Sequence, residues 1–479
     1  TGNARNTKGT LEFLDTYIQN YGQEYVSSLI ANEGWQTMTD PVTNKKLIFK
    51  ETNYQDVFFQ NALKMQYDFN LFGGNDKATY YFGAGYSDQK GIVLGTGYKN
   101  YNALFNGTYK LSEKWSLNAN VAYSISDNDS PTSYFNSLSR SVLMPFTYRL
   151  NYENGLPAPG EGIASFRNRN HEVYYKEKNN DIKVHRVTLG LGAKWDILPG
   201  LSFAPAAYLN TSEGMENRFE AFNEIVGTRP VSANHNFFKK VQLDGVLTYD
   251  KNLTSDHHIN AILGTSYIND YTYTMNGSGN SAPTDYIPTL NATAITSQRI
   301  STFKETKVID SYFSRFTYDF KKKYLFSASL RYDGSSSFAK EHKRGLFPGV
   351  SAGWNMHMED FWQPLQAYLS SFKLRSSWGK TGNDNLTIGD SQGAYATGFS
   401  YMGQVGIMNT VLANGNLKWE TTTSFDVGAD IGLFNNKLTL VLDYYNKLTS
   451  DRLFAKPLTS TTGFTSITSN YGSIPNEGF

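Results

Sequence analysis

The chain has no cysteine at all. Disulfide frameworks, thiolate metal sites and cysteine nucleophiles are therefore excluded. It also lacks any run of roughly 18 apolar residues, the least that a membrane-crossing helix needs. That does not argue against membrane strands, whose signal per segment is far weaker. Excess charge is missing too, because 44 Lys and Arg stand against 43 Asp and Glu, a net charge of +1. Such a balance offers no bulk attraction to nucleic acid. The opening Thr1-Gly2-Asn3-Ala4-Arg5 includes neither an initiator Met nor a charged-then-apolar signal segment.

What the chain does have is aromatic rings. Aromatics make up 15% of the 479 residues, with 33 Tyr and 31 Phe, while mean hydropathy is −0.46. Disordered chains are poor in aromatics, so this combination points to strands that are half polar and half aromatic. The stretch from Val308 to Trp354 carries the pattern most plainly. Tyr312, Ser314, Phe316, Tyr318 and Phe320 alternate with polar neighbours, three lysines (Lys321 to Lys323) turn the chain, and Tyr324, Phe326, Ala328, Leu330 and Tyr332 resume. Side chains of a strand point alternately to opposite faces, so this is a β-hairpin with one apolar face.

Residues 1–62 read as a pre-barrel segment with one or two short helical turns between Leu11 and Ile30. From Leu63 to the end the period is two. The clearest row is Trp419, Thr421, Thr423, Phe425, Val427, Ala429, Ile431 and Leu433, followed by Leu438, Leu440, Leu442 and Tyr444. Roughly fourteen strands of about 10–15 residues are expected, against a usual ~5–6 in globular sheets. Short links (Gly73 to Asp76, Leu111 to Glu113, Leu198 to Gly200, Asp250 to Ser255, Lys321 to Lys322, Phe434 to Asn436) take turns with long polar ones. The long ones are Asp127 to Asp181, Thr211 to Phe237, Thr272 to Glu305 and Thr381 to Asn416. This is the layout of an antiparallel outer-membrane β-barrel with short periplasmic turns and long extracellular loops. Tyr109, Trp115, Trp195, Tyr249, Phe320, Tyr324, Trp419 and Phe434, near strand ends, read as interface girdles.

The residues themselves resemble a family. Tyr54-Gln55-Asp56-Val57-Phe58-Phe59, Gly73-Gly74-Asn75-Asp76-Lys77-Ala78-Thr79-Tyr80-Tyr81 and Gly85-Tyr86-Ser87-Asp88-Gln89-Lys90-Gly91-Ile92 are similar to the early barrel of SusC/RagA TonB-dependent transporters. Tyr324 to Phe338, Phe347 to Trp354, Leu374 to Asn383, Asn416 to Thr422, Asp443-Tyr444-Tyr445 and Thr449-Ser450-Asp451 continue the series in family order. The resemblance implies an outer-membrane location and part of a 22-stranded barrel. It also implies a plug domain contacting TonB, a SusD-like surface lipoprotein, and an oligosaccharide or peptide as cargo. Dimers of transporter–lipoprotein pairs are a further implication. No plug is recognised in this sequence, and Tyr54 and Gln55 stand where the family has a tryptophan. An internal piece of a longer transporter is therefore expected, since an open sheet leaves two unpaired edges that a bilayer does not tolerate.

Binding without covalent chemistry is expected. Arg315, Asp319, Arg331, Asp426 and Asp430 occupy the polar parity of their strands and are candidates to line the lumen. Tyr134, Phe135, Phe146, Tyr148 and Tyr152 crowd the longest loop, where aromatic faces stack on sugars or peptide side chains. They serve equally well to pack that loop on its neighbours. Adjacent His257 and His258 point to opposite faces and do not share a metal. Asp127, Asp129 and Ser130 have the alternate-oxygen spacing of a calcium loop, a pattern common by chance, so no cofactor is expected. Gly334-Ser335-Ser336 after Arg331 and Asp333 is not a phosphate loop, because no Gly-rich cradle enters a helix there. No nucleophile-elbow motif supports an enzyme. The alternative is a structural or adhesive barrel protein without transport.

Overall fold

The computed structural model describes residues 12–51, 53, 55–56, 59–129, 180–222 and 228–479. Residues 12–50 form a small unit with its own core. Strand β1 (Glu12–Phe13) precedes helices α1 (Leu14–Tyr21) and α2 (Gln23–Asn32), and β2 (Trp35–Thr39) and β3 (Lys46–Lys50) complete a sheet ordered β1-β3-β2. Gly22, at φ +89°, separates the helices in a conformation that other residues rarely adopt. Tyr17, Val26, Leu29, Trp35 and Ile48 fill the centre. The sequence reading has helical turns here but not this sheet, because strands of five residues are too short for their period to register.

The rest is organised by one antiparallel sheet. Its strands are β4 (Lys64–Gly74), β5 (Ala78–Lys90), β6 (Gly97–Lys110), β7 (Trp115–Asp129), β8 (Asn180–Leu198), β9 (Leu201–Phe219), β10 (Val231–Asn252) and β11 (His257–Gly279). It continues through β12 (Arg299–Phe320), β13 (Tyr324–Ser335), β14 (Arg344–Asn355) and β15 (Leu369–Asn383). After the hairpin β16 (Ala394–Tyr401)–β17 (Gln404–Val411) come β18 (Glu420–Leu433) and β19 (Leu438–Ser450). After the hairpin β20 (Leu453–Pro457)–β21 (Ser466–Asn470) comes β22 (Ser473–Gly478). Among the described residues fifteen strands share the sheet, each beside its predecessor in it, and the edge strands β4 and β22 are not paired with each other.

Register aligns the alternation of every strand. Tyr312 pairs with Tyr332, Phe316 with Ala328 and Phe320 with Tyr324, and the same face continues through Trp354, Leu374 and Ala429. One girdle of this face holds Trp115 stacked on Trp195 at 5.2 Å, and Tyr324 stacked on Phe320 and on Trp354, each at 6.2 Å. The other girdle includes Tyr86 at 4.8 Å from Tyr101, then Tyr123, Tyr267, Tyr312 and Tyr332. From Tyr324 to Tyr332 there are eight strand steps, roughly 27 Å along a strand. With the usual tilt this fits a lipid-facing band about 25 Å tall.

Three expectations change. The strands β10, β11 and β12 run to 22, 23 and 22 residues, so much of what reads as polar loop is strand continuing above the membrane. There both faces meet water, and the apolar alternation weakens, most of all at Arg299 to Lys307, where charge stands on both parities. The segment read as a loop from Thr381 to Asn416 contains the hairpin β16–β17. Trp419 is not a girdle residue. It is buried with Phe338, Phe347 and Leu417 in a core above the sheet, its indole N–H donating to the Lys343 carbonyl at 3.1 Å.

Candidate functional site

The face opposite the girdles is polar and small. Asn106 bonds to Asn120, Tyr81 donates to Asn70 at 2.6 Å, and Ser266 donates to Asp244 at 2.6 Å. Arg315, Asp319, Arg331, Asp426 and Asp430 all stand on this face by strand parity. The structure brings only some of them into networks. Arg331 pairs with Asp333 at 2.8 Å, donates to the Ser311 hydroxyl at 2.8 Å, and lies over the Phe313 ring. Asp430 pairs with Arg375 at 3.2 Å. Asp319 accepts the Lys322 N–H at 2.6 Å and so caps a turn. Its turn residues Lys321 and Lys322 take φ +54° and +56°, the left-handed pair that matches hairpin twist. Arg315 and Asp426 make no ion pair with described residues.

Arg375 and Asp443 belong to the inner-face network and were missed by the sequence reading. Arg375 also reaches Asp443 at 2.6 Å, so one guanidinium bridges carboxylates of the two neighbouring strands β18 and β19. Gly428 lies between them, and a Cβ there would sit 2.7 Å from the Arg375 Cζ. Only glycine leaves room for that crossing. Polar parity was visible at Arg375, but nothing local tells which strands it faces. Asp319, Ser327, Ser351, Lys373, Arg375 and Asp426 then ring a concave recess of about 450 Å³ near the short-turn end of the wall.

His257 and His258 diverge as their adjacency requires. His257 bonds the Tyr318 hydroxyl at 2.7 Å on the girdle face, and His258 meets Asp250 at 3.1 Å on the other. Asp127 and Asp129 belong to the extended strand β7, opposite Lys99 and Gly97 on one side and Lys183 and Asp181 on the other. Burial and then the neighbouring Asp127 push the Asp129 carboxyl up. Ser130 and the loop aromatics Tyr134, Phe135, Phe146, Tyr148 and Tyr152 lie outside the described residues.

Above the sheet, at its long-loop end, the links pack into a crown. Phe338, Phe347, Leu417 and Trp419 form one core, and Phe219, Val231 and Ala282 a second. Asp285 accepts from Arg229 at 2.7 Å and from the Phe222 N–H at 2.7 Å, and Arg229 first holds this carboxyl below its usual range. Asp390 caps the short helix Ile388–Gln392 and accepts the Thr468 hydroxyl at 2.6 Å, joining the β16–β17 and β20–β21 links.

A wall with an aromatic band outside, polar networks inside, tight turns at one end and a packed crown at the other is an outer-membrane barrel wall. The chain belongs to the TonB dependent receptor-like, beta-barrel family, whose model matches residues 143–479. It is similar to TonB-dependent receptor P39 of Formosa agariphila, 29% identical over 432 residues, covering 89% of this chain and 41% of that protein. It is also similar to TonB-dependent receptor SusC of Bacteroides thetaiotaomicron, 26% identical over 467 residues, 89% of this chain and 45% of that protein. The RagAB peptide transporter shares the fold, with a TM-score of 0.79, 22% identity, 89% of this chain and 49% of that chain. The resemblance to the SusC/RagA type therefore holds, and with it the bacterial outer membrane as location and a receptor rather than an enzyme as class. The chain spans under half the length of these curated relatives.

Proposed function

We propose that the chain is the barrel wall of a TonB-dependent importer that carries a large nutrient, an oligosaccharide or a peptide, across the outer membrane together with a SusD-like surface lipoprotein. The observation that carries this reading is the continuous inner face of hydrogen-bonded amides, hydroxyls and half-exposed ion pairs such as Arg375 with Asp430 and Asp443. Pairs of this exposure are individually worth only about 0–1 kcal/mol. The wall therefore exchanges partners with a plug or a polar cargo at small cost, whereas an apolar wall would hold neither. Import is then a sequence of binding, release of these contacts and passage, powered by TonB through a plug.

The lipoprotein is supported by the hairpin β16–β17, whose residues from Ala394 to Val411 include not one charge. Tyr401, Met402, Val405 and Ile407 are exposed by 70% or more there, an apolar patch of the kind that marks a protein interface. The test is purification of the whole protein from outer membrane in mild detergent, with mass spectrometry of what accompanies it, and uptake of labelled oligosaccharides and peptides with and without TonB. A co-purifying lipoprotein and TonB-dependent uptake are expected. A barrel purified alone, with uptake of every cargo indifferent to TonB, would leave the structural or adhesive role in its place.

A further inference from the structure

The link between β14 and β15 stands apart from every other turn at its end of the wall. Residues 356–368 make a connection of thirteen, whereas the other described links at this end hold two to four. It contains the 3₁₀ helix Asp360–Leu365. A 3₁₀ helix repeats every three residues, so residues three apart share a ridge. Asp360, Gln363 and Gln366 make a polar ridge. Phe361 and Pro364 make a second ridge, and Trp362, Leu365 and Tyr368 continue a third, both apolar.

The link does not hang free below the wall but folds back over the girdle. Glu359 accepts from the Tyr324 hydroxyl at 2.8 Å, the Trp354 indole N–H at 3.2 Å and the Lys323 ammonium at 3.0 Å. Tyr324 and Trp354 are girdle residues on the lipid-facing side. Trp362 is buried, stacks on Phe372 at 5.3 Å and donates to the Leu369 carbonyl at 3.0 Å. This leaves Phe361 61%, Leu365 48% and Tyr368 71% exposed, beside Phe434 of the next turn at 53%. Phe361 meets Trp354 edge-on at 6.5 Å, so the patch is continuous with the lipid-facing band. β13, β14 and β15 have neighbours on both sides, so no missing strand covers this position.

We infer that residues 356–368 form an interfacial anchor, with Phe361, Leu365 and Tyr368 inserted among the phospholipids of the inner, periplasmic leaflet. The occupant is a phospholipid surface because the patch extends the established lipid interface and carries its aromatic composition. Short amphipathic helices lie in such an interface with the apolar side at the acyl boundary and the polar ridge in the headgroups. The Glu359 clamp fixes the depth by tying the link to the girdle rings.

These 479 residues hold no cysteine, so a thiol introduced among them is unique within the chain, and any cysteine elsewhere in the whole protein is first replaced by serine. Phe361→Cys, Leu365→Cys and Gln363→Cys, made in the whole protein, are spin-labelled and reconstituted in phosphatidylethanolamine–phosphatidylglycerol vesicles. Collision with oxygen and with a water-soluble nickel chelate is then compared, using Leu330→Cys as the lipid-facing reference. Labels at 361 and 365 are expected to favour oxygen several-fold over the label at 363. Chelate-dominated collision at all three positions would overturn the anchor. Shielding from both reagents would also overturn it and point to a protein partner. Should a variant fail to fold, the unaltered protein in the same vesicles is photolabelled from an acyl-chain diazirine. Adducts within residues 356–368 are expected, and adducts confined to strands would sink the proposal. Neither readout requires transport, so the result stands apart from the importer reading.

Discussion

The wall and the crown above it are built from the same chain with opposite interiors. In the crown, Trp419, Leu417, Phe347 and Phe338 are buried together as in a water-soluble protein. Across the wall, the most deeply buried residues include Ser311, while Leu263, Tyr312 and Leu330 stand 62%, 56% and 45% exposed. The difference teaches which solvent each region meets. Where lipid surrounds the sheet, apolar surface gains nothing by turning inward, and polar groups collect on the wetted side. Where water returns, a few residues above the upper girdle, burial resumes its ordinary direction.

The comparison is broken most strongly by Trp419→Ala, for which loss of a buried indole predicts about 3–5 kcal/mol of local destabilisation. Hydrogen exchange should rise in residues 336–347 and 384–420 while the girdle segments stay protected. A next test sets Ala328→Arg, on the lipid face midway between the girdles, against Ser327→Arg, one residue away on the inner face. The first should cost about 2–4 kcal/mol in bilayer unfolding titrations and the second close to nothing. Equal losses would mean that the wall is not two-faced. A smaller effect is expected from Arg375→Gln, which leaves Asp430 and Asp443 without their shared cation: about 1 kcal/mol, reduced by salt. The smallest is a pH effect at the lower rim. Hydrogen bonds from Tyr324 and then Lys323 hold the Glu359 carboxyl below its ordinary range, and the bond to Glu359 raises Lys323. A depressed carboxylate stabilises above its unfolded value of about 4.3 and loses that contribution as pH falls through the folded value. The raised lysine contributes fully below its ordinary range and loses that contribution only as pH rises through its folded value, so neutral pH leaves the clamp whole. Indole emission should therefore shift on acidification in the native protein and not in Glu359→Gln.

Much of this was legible beforehand. The hairpin from Tyr312 to Tyr332, the tight turns and the polar parity of Arg331 and Asp430 follow from a period of two, which any strand with one lipid face must display. The upper half of β12 was not legible, because Arg299 to Lys307 carry charge on both parities, whereas the alternation of Val231 to Phe237 in β10 and of Tyr271 to Met275 in β11 was present but read as loop. Trp419 was misplaced for a related reason: it continues the parity of Phe425 and Val427 yet lies beyond the membrane, where parity no longer implies lipid. The folded-back link at Glu359 carried only an aromatic-rich composition, in a position where short turns were expected.

The sequence by itself determined the class of strand, the face each strand turns to lipid and the end at which its turns are tight, since these are properties of neighbouring residues. Only the tertiary structure decided that Arg375 bridges Asp430 and Asp443, that Trp419 closes a crown, and that Glu359 ties a link to Tyr324 and Trp354. Each of these joins different strands or the links between them, and which side chains meet depends on strand register, a sum over whole ladders of hydrogen bonds that no local pattern encodes.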